Sequence, residues 1–184
     1  STQKLVYPPC FILHHNVLND IFNESRTTKY RESSIILQDY LIIFNALNDV
    51  GEQPAVTSEE VFTRLCSVTE TDPKAPSPAN IWKALEDYVK VDYLTSKIPS
   101  IKYEESVIVL ATFLSQKGIK IILVSNDDEQ EEKIKVYYEM QGRPIKGNLP
   151  FEVMNASEVL EYQSKHLSKE LHQRICEIMG INPL

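Results

Sequence analysis

Apolar residues fall in short runs and helical stripes that alternate along this chain. The sharpest run is Gly118-Ile119-Lys120-Ile121-Ile122-Leu123-Val124, closed abruptly by Ser125-Asn126-Asp127-Asp128. A β-branched run of this length with no polar alternation predicts a strand buried on both faces, as in a parallel sheet. Further strands are expected at Cys10-Phe11-Ile12-Leu13, Pro54-Ala55-Val56-Thr57 and Phe151-Glu152-Val153-Met154. Between them the apolar spacing turns helical. Val17, Leu18, Ile21 and Phe22 predict a short helix directly after the first strand, and a longer one is expected over 32–49, stopped by Gly51. Ser58 should cap a helix carrying Val61, Phe62 and Leu65, with Glu59 and Glu60 favourable in its first turn. Ser77, with Pro78 at the first helical position, should open a helix holding Ile81, Trp82, Leu85, Tyr88 and Val89. Glu104 to Gln116 predicts a well-buried helix ended by Lys117-Gly118, and a charged helix should run from Asp128 to Gln141, ending at Gly142. Ser157 is expected to open a last helix at about 157–179. Strands separated by helices predict the α/β class, here a three-layer α/β/α architecture around a central, mostly parallel sheet.

The 184 residues suit one domain. Residues 1–9 read as a leading tail and 10–184 as a single domain, interrupted by a Pro-rich loop at 69–78. A net charge of -7 argues against a broad basic surface, so strong non-specific nucleic-acid binding is not expected. Cys10, Cys66 and Cys176 are far apart and odd in number, which fits a reducing compartment better than a disulfide framework. The start lacks a signal pattern and no apolar run is long enough to span a bilayer. The expectation is an intracellular protein, nuclear or cytoplasmic, with no membrane association.

Parallel sheets place their chemistry just past the carboxyl ends of their strands, which singles out Asp127. Its plain alternative is a cap of the following helix, and the two roles are compatible. Glu104 suits a helix start better than a ligand site. His14 and His15 are adjacent at a strand end, so in extended chain only one would face a site there. With Glu104 and Asp127, one histidine would complete a set for a softer ion such as Zn²⁺ or Mn²⁺. Lys133, Lys135, Arg143 and Lys146 are interleaved with Glu129, Glu131 and Glu132, which favours a solvated helix face.

The order of elements, with four segments, resembles the PIN domain, a nuclease fold found in toxin ribonucleases and RNA-processing factors. The segments are Ile12-Leu13-His14-His15-Asn16, Val61-Phe62-Thr63-Arg64-Leu65, Glu104-Glu105-Ser106-Val107-Ile108 and Leu123-Val124-Ser125-Asn126-Asp127. The resemblance implies that acids from separate strand ends hold Mg²⁺ or Mn²⁺, which activates water against a phosphate. In this chain His14 stands where the family has its first Asp, and Arg64 where it has Glu. Glu104 keeps the charge of a family Asp, Asp127 and Asn16 are retained, and Asn16 is implied to support the site by hydrogen bonding. Arg64 is expected to pair with Glu104 or Asp127; contact with an RNA phosphate is its other reading.

The favoured expectation is therefore a catalytically impaired PIN-like domain, without a resident cofactor. It would serve as a protein-interaction or assembly module in an RNA-processing, RNA-decay or silencing complex, with RNA itself a possible partner. The alternative is a divergent endoribonuclease using Asp127, Glu104 and a histidine, and then Mg²⁺ or Mn²⁺ would be required. A haloacid-dehalogenase-like phosphatase ranks third: the last strand suits it, but His14-His15-Asn16 stands where its Asp-x-Asp nucleophile motif belongs.

Overall fold

A computed structural model describes residues 9–19, 22, 54–67 and 77–163, with the single helical positions 169, 173 and 177. Five strands are described: β1 Cys10–Leu13, β2 Ala55–Ser58, β3 Val89–Asp92, β4 Ile121–Val124 and β5 Glu152–Met154. They form one sheet in the order β3-β2-β1-β4-β5, and every neighbouring pair is parallel. In the central pair Cys10 stands opposite Ile121 and Leu13 opposite Val124. Every residue of β1 and β4 is buried, so both faces of the sheet are covered. The result is a three-layer α/β/α fold, and it explains why these two strands read as unbroken apolar runs. Leu13 and Val124 sit in the core and anchor the two strand ends from which the candidate site hangs.

Helices are α1 Glu59–Cys66, α2 Pro78–Leu85, α3 Tyr103–Gln116, α4 Gln130–Met140 and α5 Ala156–Gln163, and residues 15–19 are also helical. Their ends follow local chemistry. Ser58 Oγ accepts the Val61 amide at 3.2 Å, and Ser77 Oγ accepts the Asn80 amide at 3.1 Å ahead of Pro78. At the end of α3 the Gly118 amide donates to the Ser115 carbonyl and the Ile119 amide to that of Leu114. Gly142 and Arg143 repeat the pattern on Glu139 and Tyr138 after α4. Both are Schellman motifs, and both glycines take the positive φ that the motif needs.

Two expectations are corrected. The helix read through Tyr88 and Val89 stops at Leu85, and Val89-Lys90-Val91-Asp92 forms a strand that the sequence reading lacked. Residues Val89 to Asp92 pair in order with Ala55 to Ser58. Pairing to β2 outweighs the local helical spacing that had drawn Val89 onto the helix. At the last helix, Asn155 rather than Ser157 opens the element. Glu158's amide donates to Asn155 Oδ1 at 2.9 Å while Asn155's amide donates to Glu158 Oε1 at 3.2 Å, a reciprocal capping box. The tail up to residue 8, the helix expected over 32–49, the Pro-rich loop from 69 to 76 and most of the last helix beyond Gln163 lie outside the described residues.

Candidate functional site

From β1 the chain builds outward through β2 to β3, then crosses back to β4 and builds outward through β5 on the other side. β1 and β4 are thus neighbours whose onward connections diverge. Such a reversal opens a crevice at the strands' carboxyl ends, where ligands of open α/β sheets bind. His14, His15 and Asn16 follow β1 there, and Ser125, Asn126 and Asp127 follow β4. The start of α3 and one face of α4, from Gln130 to Met140, complete a cleft of about 630 Å³.

The two strand ends are tied by one serine. Ser125 is buried, and its Oγ accepts from Asn16 Nδ2 at 2.9 Å and donates to Gln130 Oε1 at 3.0 Å. The same oxygen accepts the Asp127 amide at 3.3 Å. Asn16 returns the link, its Oδ1 accepting the Asn126 amide at 3.0 Å. A hydroxyl has one proton and two lone pairs, so Ser125 is fully used. Asn16 thus bridges the two strand ends through both polar atoms of its side chain. Ser125 and Gln130 were not singled out from sequence; their signal was a buried polar residue closing an apolar strand, five positions before a helix start.

The two histidines depart from the extended-chain expectation. The His14 amide continues the ladder onto Val124, but its carbonyl accepts the Val17 amide at 3.2 Å. The chain therefore turns from strand to helix at His14, the strict alternation of faces ends, and both histidines line the cleft. His14 is 7% exposed. Burial, reinforced by neighbouring His15 and resisted by Glu104 and Asp127, lowers its pKa to about 4. It is neutral at pH 7, and the Asn16 amide lies 3.4 Å from Nδ1, which places the ring proton on Nε2. His15 is also lowered, by burial and then by Arg64.

Asp127 is committed at both oxygens. Its Oδ2 lies 2.5 Å from Lys133 Nζ, and its Oδ1 accepts the Glu129 amide at 2.9 Å. The bond from Lys133, then the backbone bond, holds the carboxyl below its ordinary range. Lys133 is exposed on α4, and from that solvated face its ammonium reaches back to Asp127, three residues before the helix begins at Gln130. The expected pairing of Arg64 with Glu104 or Asp127 is absent among the described residues. The Arg64 guanidinium lies 5.3 Å from the centre of the Tyr103 ring, and Tyr103 also meets the His15 ring, 4.7 Å between centroids. Arg64 lines a neighbouring cavity of about 570 Å³ instead, with Tyr103 and Glu104 shared between the two.

His14, Asn16, Glu104 and Asp127 are thus brought to one cleft, and Arg64 is set one ring away. Hard divalent cations want several free carboxylate oxygens. Here Asp127 is occupied by an ammonium and a backbone amide, and His14 offers an imidazole that such ions disfavour. The donor set does not fit a Mg²⁺ centre. Among the described residues no group of three or more His, Cys, Asp or Glu side chains stands in a metal-holding arrangement.

Among the described residues no helix is long and apolar enough to cross a membrane. Neither a protein-family model, nor a curated protein, nor a solved structure matches this chain.

Proposed function

We propose that this chain is a PIN-like domain without a working metal centre, acting as a protein-interaction or assembly module rather than as a nuclease. One observation carries the reading: the Lys133 ammonium sits on Asp127, the acid that the motif resemblance would make a metal ligand. A cation supplied by the chain itself neutralises the position that Mg²⁺ or Mn²⁺ would need. The replacement of acids by His14 and Arg64 points the same way. The setting in an RNA-processing, RNA-decay or silencing complex rests on the motif resemblance alone, and a nuclear or cytoplasmic location on the cysteine usage.

The test is thermal melting across a Mg²⁺ and a Mn²⁺ titration, run beside a cleavage assay on single-stranded RNA. A ligand that binds the folded state raises its melting temperature. The expected result is no metal-dependent rise and no cleavage. A rise abolished by Asp127→Ala, with cleavage lost in parallel, would establish the ribonuclease instead.

A further inference from the structure

We infer that the cleft at the β1–β4 strand ends is a docking site for a peptide segment that presents an arginine beside apolar side chains. The inference rests on the assembly-module reading and gives its partner a chemistry. Four observations converge on it. Glu104, Glu105 and Asp127 line the cleft against the single ammonium of Lys133, so the site favours a cation and repels a phosphate chain. Aromatic rings stand in the wall at Tyr103 and Tyr137, and a guanidinium pairs with such rings as well as with carboxylates. The chain itself illustrates the pairing, with Arg64 over the Tyr103 ring. Val136 and Met140, one turn apart on α4, are 51% and 77% exposed on the rim of the same cleft, an apolar strip unlike the rest of that charged helix.

The fourth observation separates a peptide from a bare cation. His14 is more than nine-tenths buried, lines the cleft, and has no hydrogen-bond partner for Nε2 among the described residues. With the proton on Nε2 it needs an acceptor. A guanidinium offers only donors, whereas a peptide carrying that guanidinium also offers backbone carbonyls. One segment therefore satisfies all the groups: its arginine reaches Glu104 and Glu105, a carbonyl faces His14, and its apolar side chains cover Val136 and Met140.

The experiment is amide and imidazole chemical-shift mapping on the folded chain with three probes. These are a synthetic peptide holding one arginine followed by leucines at one-turn spacing, the same peptide with citrulline for arginine, and oligouridylate. The arginine peptide should shift the amides of Glu104, Asn126 and Val136 and the His14 side-chain nitrogens. Citrulline keeps the shape and removes the charge, and should weaken binding about tenfold or more, as loss of a charge-assisted contact does. Glu104→Gln with Glu105→Gln, one exposed and one half-buried in the first turn of α3, should weaken the arginine peptide likewise, and Met140→Ser should weaken both peptides. Equal binding of the two peptides, shifts confined to another surface, or no binding overturns the docking site while leaving the assembly reading intact. Oligouridylate shifting these same resonances, with Mg²⁺-dependent cleavage, overturns both.

Discussion

Asp127 receives Lys133 on one carboxylate oxygen and the Glu129 amide on the other. The first contact is a side-chain pair six residues apart and the second a backbone turn, so they separate by mutation. Lys133→Met should leave the turn in place and raise the Asp127 pKa toward its ordinary value of 3.8. A carboxyl NMR titration reads this directly. The folded pKa is the lowered one, so the stabilisation is present above the ordinary value. It is lost as pH falls through the lowered folded value. The pair is largely solvent-facing, so removing it should change the melting temperature little.

His14 should make the fold sensitive to mild acid. Its pKa falls from 6.5 to about 4 on burial, so the unfolded chain binds the proton more readily between those values. Stability is then full above the unfolded value and declines as pH falls from about 6.5 toward about 4. At about 1.4 kcal/mol per unit the loss is on the order of 3 kcal/mol. Denaturant melts at neutral and acid pH measure it, and His14→Gln should flatten the difference. An equal acid loss in the variant would assign the sensitivity elsewhere.

Ser125→Ala should cost about 1–3 kcal/mol, because the buried Gln130 oxygen and the Asn16 amide lose their shared partner together. Urea unfolding gives the value. Asn16→Ala in the Ser125→Ala background should cost less than in the native chain, since the two residues belong to one network.

Gly118→Ala isolates a backbone effect. The φ of Gly118 is +84° and an added Cβ meets nothing within 4 Å. The expected loss is about 1 kcal/mol from the left-handed conformation alone. The matching change at Gly142, φ +73° and equally open, should lose a similar amount, and the two should add.

What could be read from sequence divides by the range of the forces involved. Strands β1 and β4 were legible because burial on both faces removes polar residues from the run, and Ser58, Ser77, Gly118 and Gly142 because caps act within a turn. β3 was not legible: as an edge strand it has one exposed lysine, and it is defined by pairing to Ala55–Ser58, more than thirty residues away. At the site, the strand-end rule singled out Asp127, His14 was in view at a strand end, and Asn16 entered through the motif resemblance. The partners were missed because no local pattern marks them. Lys133 looked like one charge among many, and Arg64 looked like an ion-pair donor until Tyr103 took it. Ser125 was in view as a motif letter, but its role as the bond between two strands exists only after the sheet forms.

The edges of the described sheet bear on self-association. β3 is four residues long and carries exposed Lys90; β5 is three residues long and begins at exposed Glu152. Short, charged edges are poor templates for a further strand. Adding a neighbour's strand there would bring charges of the same sign together whenever like edges meet. Growth of the sheet from chain to chain is thereby discouraged, and an assembly made through this domain is better served by side-chain recognition than by extending its backbone ladder.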